Sequence, residues 1–319
     1  MQANWRPSAT IEGLKQRGVL VALIRHFFAR RGVLEVDTPV LMPTTATDVY
    51  IDSFRVQDSP LFLQTSPEFA LKRLLAAGSG AIYQMGKVFR RDAPSRRHNP
   101  EFTLLEWYRP GFSLEQLMDE VEALVVEVFA KAAHLAPAGT ALASVERLSY
   151  RELFQHHLGI DPHRASDADI ARLSAEKIDL AAEALSRTDR LQLLLSHCIE
   201  PKLPRACFIV DYPVAQAALA RIELDATGEP VARRFELFVD GMELANGYFE
   251  LQDAAEQRRR FEADIAERAA RGYDTVPLDE DLLAALAHGL PECSGVALGV
   301  DRLLMAALKQ PTLTSLLTF

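Results

Sequence analysis

Cysteine is scarce in this sequence, and an apolar run of membrane length is absent. The 319 residues include 3 cysteines, Cys198, Cys207 and Cys293. They form no Cys-x-x-Cys pair, and an odd number cannot pair fully within one chain, so neither a disulfide framework nor a cysteine-built zinc site is indicated. Three buried thiols are expected, because free cysteine packs as a small hydrophobe. The longest run without a formal charge, residues 132–145, is 14 residues long and contains Pro137 and Gly139. A bilayer span needs roughly 20 apolar residues, so no membrane helix is expected. The N-terminus, Met1-Gln2-Ala3-Asn4-Trp5-Arg6-Pro7, lacks the apolar core of a secretion signal, and a cytoplasmic location is expected. A surplus of positive charge is missing too. The 35 Lys plus Arg against 44 Asp plus Glu leave a formal charge of −9, which excludes a dedicated polyanion binder.

What is present fits a folded enzyme: 49% hydrophobic and 25% charged residues exclude disorder for the chain as a whole. Helix and strand patterns mix without regular βαβ alternation or an internal repeat, so the expected fold class is α+β. A first helix is expected over 11–31, with Leu20, Leu23, Ile24, Phe27 and Phe28 at helical spacing and Gly32 as its exit. An extended segment with Pro39 follows over 33–40. Ser66-Pro67-Glu68 has a hydroxyl for the N-cap, proline for the first helical position and a carboxylate for the positive end of the dipole, with the helix running to Gly78. Strand-like runs 82–90 and 102–108 flank a polar loop and predict an antiparallel pair. Ser113-Leu114-Glu115-Gln116 and Ser149-Tyr150-Arg151-Glu152 are capping boxes, the second opening a mostly helical stretch to 203. Residues 136–144 are the best linker candidate. Short strands are expected over 207–211 and 235–243, a charged helix over 253–271, and a closing strand and helix over 295–309.

Three segments could carry chemistry. Lys87, Arg90, Arg91, Asp92, Arg96, Arg97 and His98 concentrate positive charge in an acidic chain, which suits an anionic ligand; a solvated basic loop beside an ordinary hairpin is the alternative. By alternation, Gln84, Gly86, Val88 and Arg90 share one strand face, and Phe102, Leu104, Glu106 and Tyr108 share a face of the next. If these faces coincide, a guanidinium, an aromatic ring, a carboxylate and a phenol meet on one platform. In Gly295-Val296-Ala297-Leu298-Gly299-Val300-Asp301-Arg302 a small-residue strand runs into a helix whose first turn holds Arg302. A cation there opposes the macrodipole, which points either to a ligand or to a surface salt bridge with Asp301. Glu243-Leu244-Ala245-Asn246-Gly247-Tyr248-Phe249-Glu250 sets two carboxylates around Asn-Gly. That pair is either a simple hairpin turn or part of a site, and the two glutamates face one ligand only if the backbone turns or bulges near Asn246-Gly247.

Together these segments resemble the class II aminoacyl-tRNA synthetases. Phe89-Arg90, His98-Asn99-Pro100-Glu101-Phe102-Thr103 and Glu106 look like motif 2 in its lysyl form, and the run 295–302 looks like motif 3. The first helix with Pro39 resembles motif 1, the usual dimer-forming element, which implies a homodimer. Motif 2 of the family commonly reads Arg-x-Glu where this chain has Arg90-Arg91-Asp92, a carboxylate one methylene shorter. Only 13 residues precede Leu14 and 11 follow Leu308, so a single catalytic domain over 1–319 without an anticodon-binding barrel is expected. The chain is most similar to compact paralogues of lysyl-tRNA synthetase, and that resemblance implies β-lysine as substrate and elongation factor P as its protein acceptor, without stable tRNA binding. A truncated lysyl-tRNA synthetase and a non-catalytic amino-acid-binding paralogue are the alternatives.

The resemblance implies attack of a substrate carboxylate on the α-phosphorus of ATP, a step that needs positioning and charge stabilisation and no protein nucleophile. Arg90, Glu243 and Arg302 would be catalytic. Arg90 would hold the α-phosphate, Phe102 and Arg302 would sandwich the adenine, and Gly299 would leave space beside it. Arg91, Asp92, His98, Asn99, Glu243 and Leu244 would complete the ATP site. Mg²⁺ would take Glu243 and, as a second ligand, Glu250. Two ammonium groups call for carboxylates and hydrogen-bond acceptors, and Ser66, Pro67, Glu68, Tyr108 and Glu250 are the candidates for the amino-acid site.

Overall fold

The computed structural model describes residues 5–178 and 185–319. In chain order its first elements are α1 (Ile11–Ala29), β1 (Leu34–Glu35), β2 (Leu41–Met42), β3 (Phe62–Leu63), α2 (Glu68–Ala76), β4 (Ile82–Phe89), β5 (Glu101–Pro110) and α3 (Leu114–Leu135). There follow β6 (Glu146–Ser149), α4 (Tyr150–Leu158), α5 (Asp167–Lys177), α6 (Arg187–Leu194), β7 (Ala206–Pro213), β8 (Ile222–Leu224), β9 (Pro230–Val239) and β10 (Met242–Phe249). The chain closes with α7 (Ala254–Ala270), α8 (Glu280–Gly289), β11 (Cys293–Gly299) and α9 (Val300–Ala307). The architecture is α+β, mainly antiparallel sheet flanked by helices. It forms two compact units, one of Met1–Ala143 with Glu250–Phe319 and one of Ser144–Phe249. The linker read from composition ends at that boundary. Among the described residues, no helix is long and apolar enough to cross a membrane.

In the first unit β1 pairs in parallel with β4, β4 antiparallel with β5, and β5 antiparallel with β11. Helix α1 begins where Thr10 Oγ1 accepts from Gly13 N at 3.0 Å, and it buries Leu20, Ile24, Phe27 and Phe28. It ends two residues earlier than the pattern suggests. Phe28 stacks on Tyr83 at 4.5 Å and meets Trp107 edge-on at 5.2 Å, joining the helix to the inner strands. Helix α3 opens with the Ser113–Gln116 capping box and packs on α1 and α9. The expected extended segment 33–40 contains only the two-residue β1. Helix α2 starts one residue late, at Glu68, with Pro67 at the N-cap, because the Ser66 hydroxyl reaches Glu68 N at 3.0 Å.

In the second unit β6 pairs in parallel with β7, while β7, β8 and β10 each pair antiparallel with β9. Its core gathers Tyr150, Phe154, Ile209, Tyr212 and Phe238, and the Ser149–Glu152 box opens α4 as expected. The helical stretch expected up to 203 crosses residues 179–184, which lie outside the described ones. The single strand expected over 235–243 is two strands. Asp240 and Gly241 both have positive φ (49° and 66°) and make the tight hairpin turn between β9 and β10. Asn246-Gly247 is therefore not a turn: Asn246 sits opposite Glu236, and Gly247 sits opposite Phe235. A Cβ on Gly247 would lie 2.3 Å from that ring, so this residue must be glycine for close approach. The register shifts between Glu243 and Ala245, not at Asn246-Gly247. Cys207 and Cys293 are buried free thiols, whereas Cys198 is only half-buried against the core of the second unit.

Candidate active site

The β4–β5 register makes Gln84, Gly86 and Val88 direct partners of Glu106, Leu104 and Phe102, so the two predicted faces do coincide. Partners directly opposite project to the same side. Strand β11 lays Gly295, Ala297 and Gly299 opposite Tyr108, Glu106 and Leu104. Small residues thus border the platform where bulky ones would fill it.

One end of the platform is basic. Arg90 N donates to Pro100 O at 2.9 Å, Arg90 Nε donates to Thr65 O at 3.3 Å, and its guanidinium lies 5.3 Å from the Phe102 ring centre. Arg302, the third residue of α9, donates from Nε to Arg97 O at 3.1 Å. The His98 ring, 2.9 Å from Ser95 Oγ, is held below the ordinary histidine range by partial burial and by Arg302, with Arg97 and Arg90 adding and Asp92 opposing. Arg90, Arg97 and Arg302 therefore gather around His98, with Arg90 beside Phe102. Asp301 is not the partner of Arg302: its buried carboxylate lies 2.6 Å from Arg17 and accepts from Thr103 N at 2.7 Å. The salt-bridge explanation for Arg302 fails on that geometry. Two other expected nucleotide residues have protein contacts of their own. Arg91 lies 3.8 Å from Asp52 and 3.6 Å from Asp274, and Asn99 Nδ2 donates to Glu101 O at 2.6 Å.

The other end is a buried acidic cluster. Ser66 Oγ and Tyr108 OH each donate to a different oxygen of Glu106, both at 2.7 Å. Lys72 Nζ bridges Glu68 at 2.8 Å and Glu250 at 2.7 Å. Gly295 must be small here, since a Cβ would fall 2.3 Å from the Tyr108 ring and 2.5 Å from Glu250 Oε1. Burial and the neighbouring charges of Glu68 and Glu250 push Glu106 up to about 8, against the pull of the two hydroxyls. Burial likewise raises Glu250, although Lys72 draws it down. Lys72 resists the desolvation that would discharge it, because Glu250 and Glu68 more than compensate. Ser66, Glu68, Tyr108 and Glu250 are thus brought together as the sequence reading expects, with Pro67 buried beside them. That reading assigns no part to Lys72. The available signal is its position four residues after Glu68, which puts both on one face of α2.

In the second unit Glu243 is half-buried on β10 and Leu244 is buried at the register shift. Nearby, Arg234 donates to Glu236 Oε1 at 2.5 Å and to Gln216 O at 2.9 Å, with its guanidinium 4.4 Å from the Tyr212 ring centre. Burial opposes its charge, and Tyr248, Glu236, Tyr212 and Glu243 together keep it ionised. Among the described residues no group of three or more His, Cys, Asp or Glu could hold a metal alone. Mg²⁺ usually takes only one or two carboxylates and completes its shell with phosphate oxygens and water. Half-buried Glu243 fits that pattern. Glu250 does not, because its fully buried carboxylate already faces the Lys72 ammonium.

The family model described as tRNA synthetases class II (D, K and N) matches residues 3–319. A protein of Pectobacterium atrosepticum named elongation factor P–(R)-β-lysine ligase is 46% identical, covering 99% of this chain and 97% of the relative. Proteins of the same name from Edwardsiella ictaluri and Yersinia enterocolitica are also 46% identical with the same coverage. The chain belongs to the class II tRNA synthetase family of the D, K and N group.

Proposed function

We propose that this protein is an ATP-dependent ligase that activates (R)-β-lysine as an acyl adenylate and transfers it to a lysine side chain of elongation factor P. The observation that carries this reading is the surplus of acid in the buried cluster. Two carboxylates, Glu68 and Glu250, face the one ammonium of Lys72, and a third, Glu106, held by the Ser66 and Tyr108 hydroxyls, feels the charge of both. Fully ionised, they leave two negative charges for a ligand to balance, and β-lysine carries two ammonium groups. Buried charge of one sign is costly unless a partner completes it. The relatives named for β-lysine and elongation factor P support the same substrates.

In the first step a carboxylate oxygen of β-lysine attacks the α-phosphorus of ATP, and pyrophosphate leaves. Arg90 binds the phosphate and the incoming carboxylate, and Phe102 and Arg302 bracket the adenine, with Gly299 leaving room. His98, its pKa lowered first by burial and then by Arg302, supports the nucleotide. Glu243 would hold Mg²⁺, which would supply positive charge against the phosphates. In the second step a neutral lysine amine of the acceptor attacks the acyl carbon, an amide forms, AMP leaves, and the amine gives up its proton. Homodimer formation through α1 and a cytoplasmic location complete the reading.

ATP–pyrophosphate exchange with β-lysine and α-lysine tests the first step, and absence of exchange with both would end the proposal. The second step is checked by the intact mass of elongation factor P after incubation with enzyme, ATP and β-lysine; an unmodified factor despite exchange would reject that acceptor. Glu243→Gln is expected to raise the Mg²⁺ concentration needed for exchange, and an unaltered metal dependence would remove Glu243 as a ligand.

A further inference from the structure

Among the described residues Lys72 is the one buried lysine. It is 1% exposed, projects from α2 one turn after Glu68, and places its ammonium between two carboxylates of the proposed amino-acid site. Those carboxylates reach it from segments far apart in sequence, Glu68 in α2 and Glu250 beyond β10. Glu106, the third acid, is served instead by the Ser66 and Tyr108 hydroxyls. Stability gives no good reason for this arrangement. The two carboxylates keep the buried ammonium charged, yet an apolar replacement of all three groups would stabilise the fold as well. The arrangement makes sense if the two carboxylates must stand at fixed places with their charge intact.

Resting on the β-lysine reading above, we propose that Lys72 is a positioning residue of the amino-acid site, whose ammonium clamps Glu68 and Glu250 so that the pocket favours an amino acid with two ammonium groups over one with a single ammonium. Without the clamp the two glutamates repel each other across a dry space, one takes up a proton and turns away, and the place prepared for one ligand ammonium is lost. Lys72 pairs with Glu68 and Glu250 at the acidic end of the platform, apart from the basic end that takes the phosphate, so ATP recognition should be unchanged.

The test compares wild type, Lys72→Met and Lys72→Arg in ATP–pyrophosphate exchange. The amino acids are β-lysine and 3-aminoheptanoate, which has a methyl group where β-lysine has its terminal ammonium. Lys72→Met is expected to raise the KM for β-lysine at least 30-fold and to shrink the preference for β-lysine over 3-aminoheptanoate at least tenfold, with the KM for ATP changed less than twofold. Lys72→Arg keeps the charge and should recover most of the preference. A folded Lys72→Met protein with unchanged preference, or with both KM values raised alike, overturns the inference. If Lys72→Met does not fold, Lys72→Arg decides: a three- to tenfold rise in the β-lysine KM alone is expected, and an unchanged KM overturns it. Wild-type exchange together with an unaltered variant defeats the clamp and leaves the β-lysine reading standing. A wild type without exchange defeats the β-lysine reading and the clamp with it.

Discussion

The two units of the molecule each bury ionisable side chains on a mainly antiparallel sheet, yet they balance the charge differently. In the first, Glu68 and Glu250 share one ammonium, and neighbouring Glu106 is satisfied only by hydroxyls. In the second, the Arg234 guanidinium donates to Glu236 and a backbone carbonyl and lies over the Tyr212 ring. In the second arrangement one cation is matched by one carboxylate, although Arg234 Nε and Tyr212 OH are buried without a hydrogen bond among the described residues. The first carries uncompensated acid, which destabilises the empty protein and becomes favourable when a cationic ligand enters. A site is therefore marked less by how many charges it buries than by whether they are balanced.

Replacing one member of each cluster would break this comparison if it is wrong. Glu106→Gln should lower kcat/KM for the amino acid at least 100-fold in the exchange assay while leaving denaturant stability equal or improved, since it removes surplus negative charge. Arg234→Met should instead cost about 3–5 kcal/mol in a denaturant melt by stranding Glu236 without its buried cation. If the stability losses came out in the reverse order, the distinction between unbalanced and matched clusters would fail. Two glycines sharpen the contrast at smaller magnitude. Gly247→Ala forces a Cβ against the Phe235 ring and should destabilise the protein by about 1–3 kcal/mol. Gly295→Ala presses on Tyr108 and Glu250, so a similar loss of stability should come with a raised KM for the amino acid.

The smallest effect is a pH slope. Burial raises Glu106 from 4.5 to about 8, so across that window the folded chain keeps a proton that the unfolded chain has released. Stability from this group is complete below the unfolded value and is lost as the pH climbs to about 8. The melting temperature of the ligand-free protein should decline over that range, and Glu106→Gln should flatten the decline. Saturating β-lysine should flatten it as well, because an ammonium takes the place of the proton.

Local grammar made much of the fold legible. The Ser113 and Ser149 capping boxes form as written, and the alternation in 82–90 and 102–108 yields the platform with matched faces. These features depend on neighbours a few residues apart. The hairpin at Asp240-Gly241 went unread because the more conspicuous Asn246-Gly247 competes with it, and only the Phe235 ring reveals why the second glycine sits within a strand. The acidic cluster was half-legible. Glu68, Tyr108 and Glu250 could be named from motifs, but the ion pair that removes Glu250 from metal binding joins residues 72 and 250, and local periodicity does not report such a contact.

The contacts of Asp301 carry a mechanical consequence. Its carboxylate joins α1 through Arg17 to β5 through the amide of Thr103; Asp301 immediately precedes Arg302, and Thr103 immediately follows Phe102. Whatever grips the first helix from outside thereby holds a lever on the two side chains proposed to flank the base, and neutralising Arg17 would slacken that linkage from a distance without touching either one.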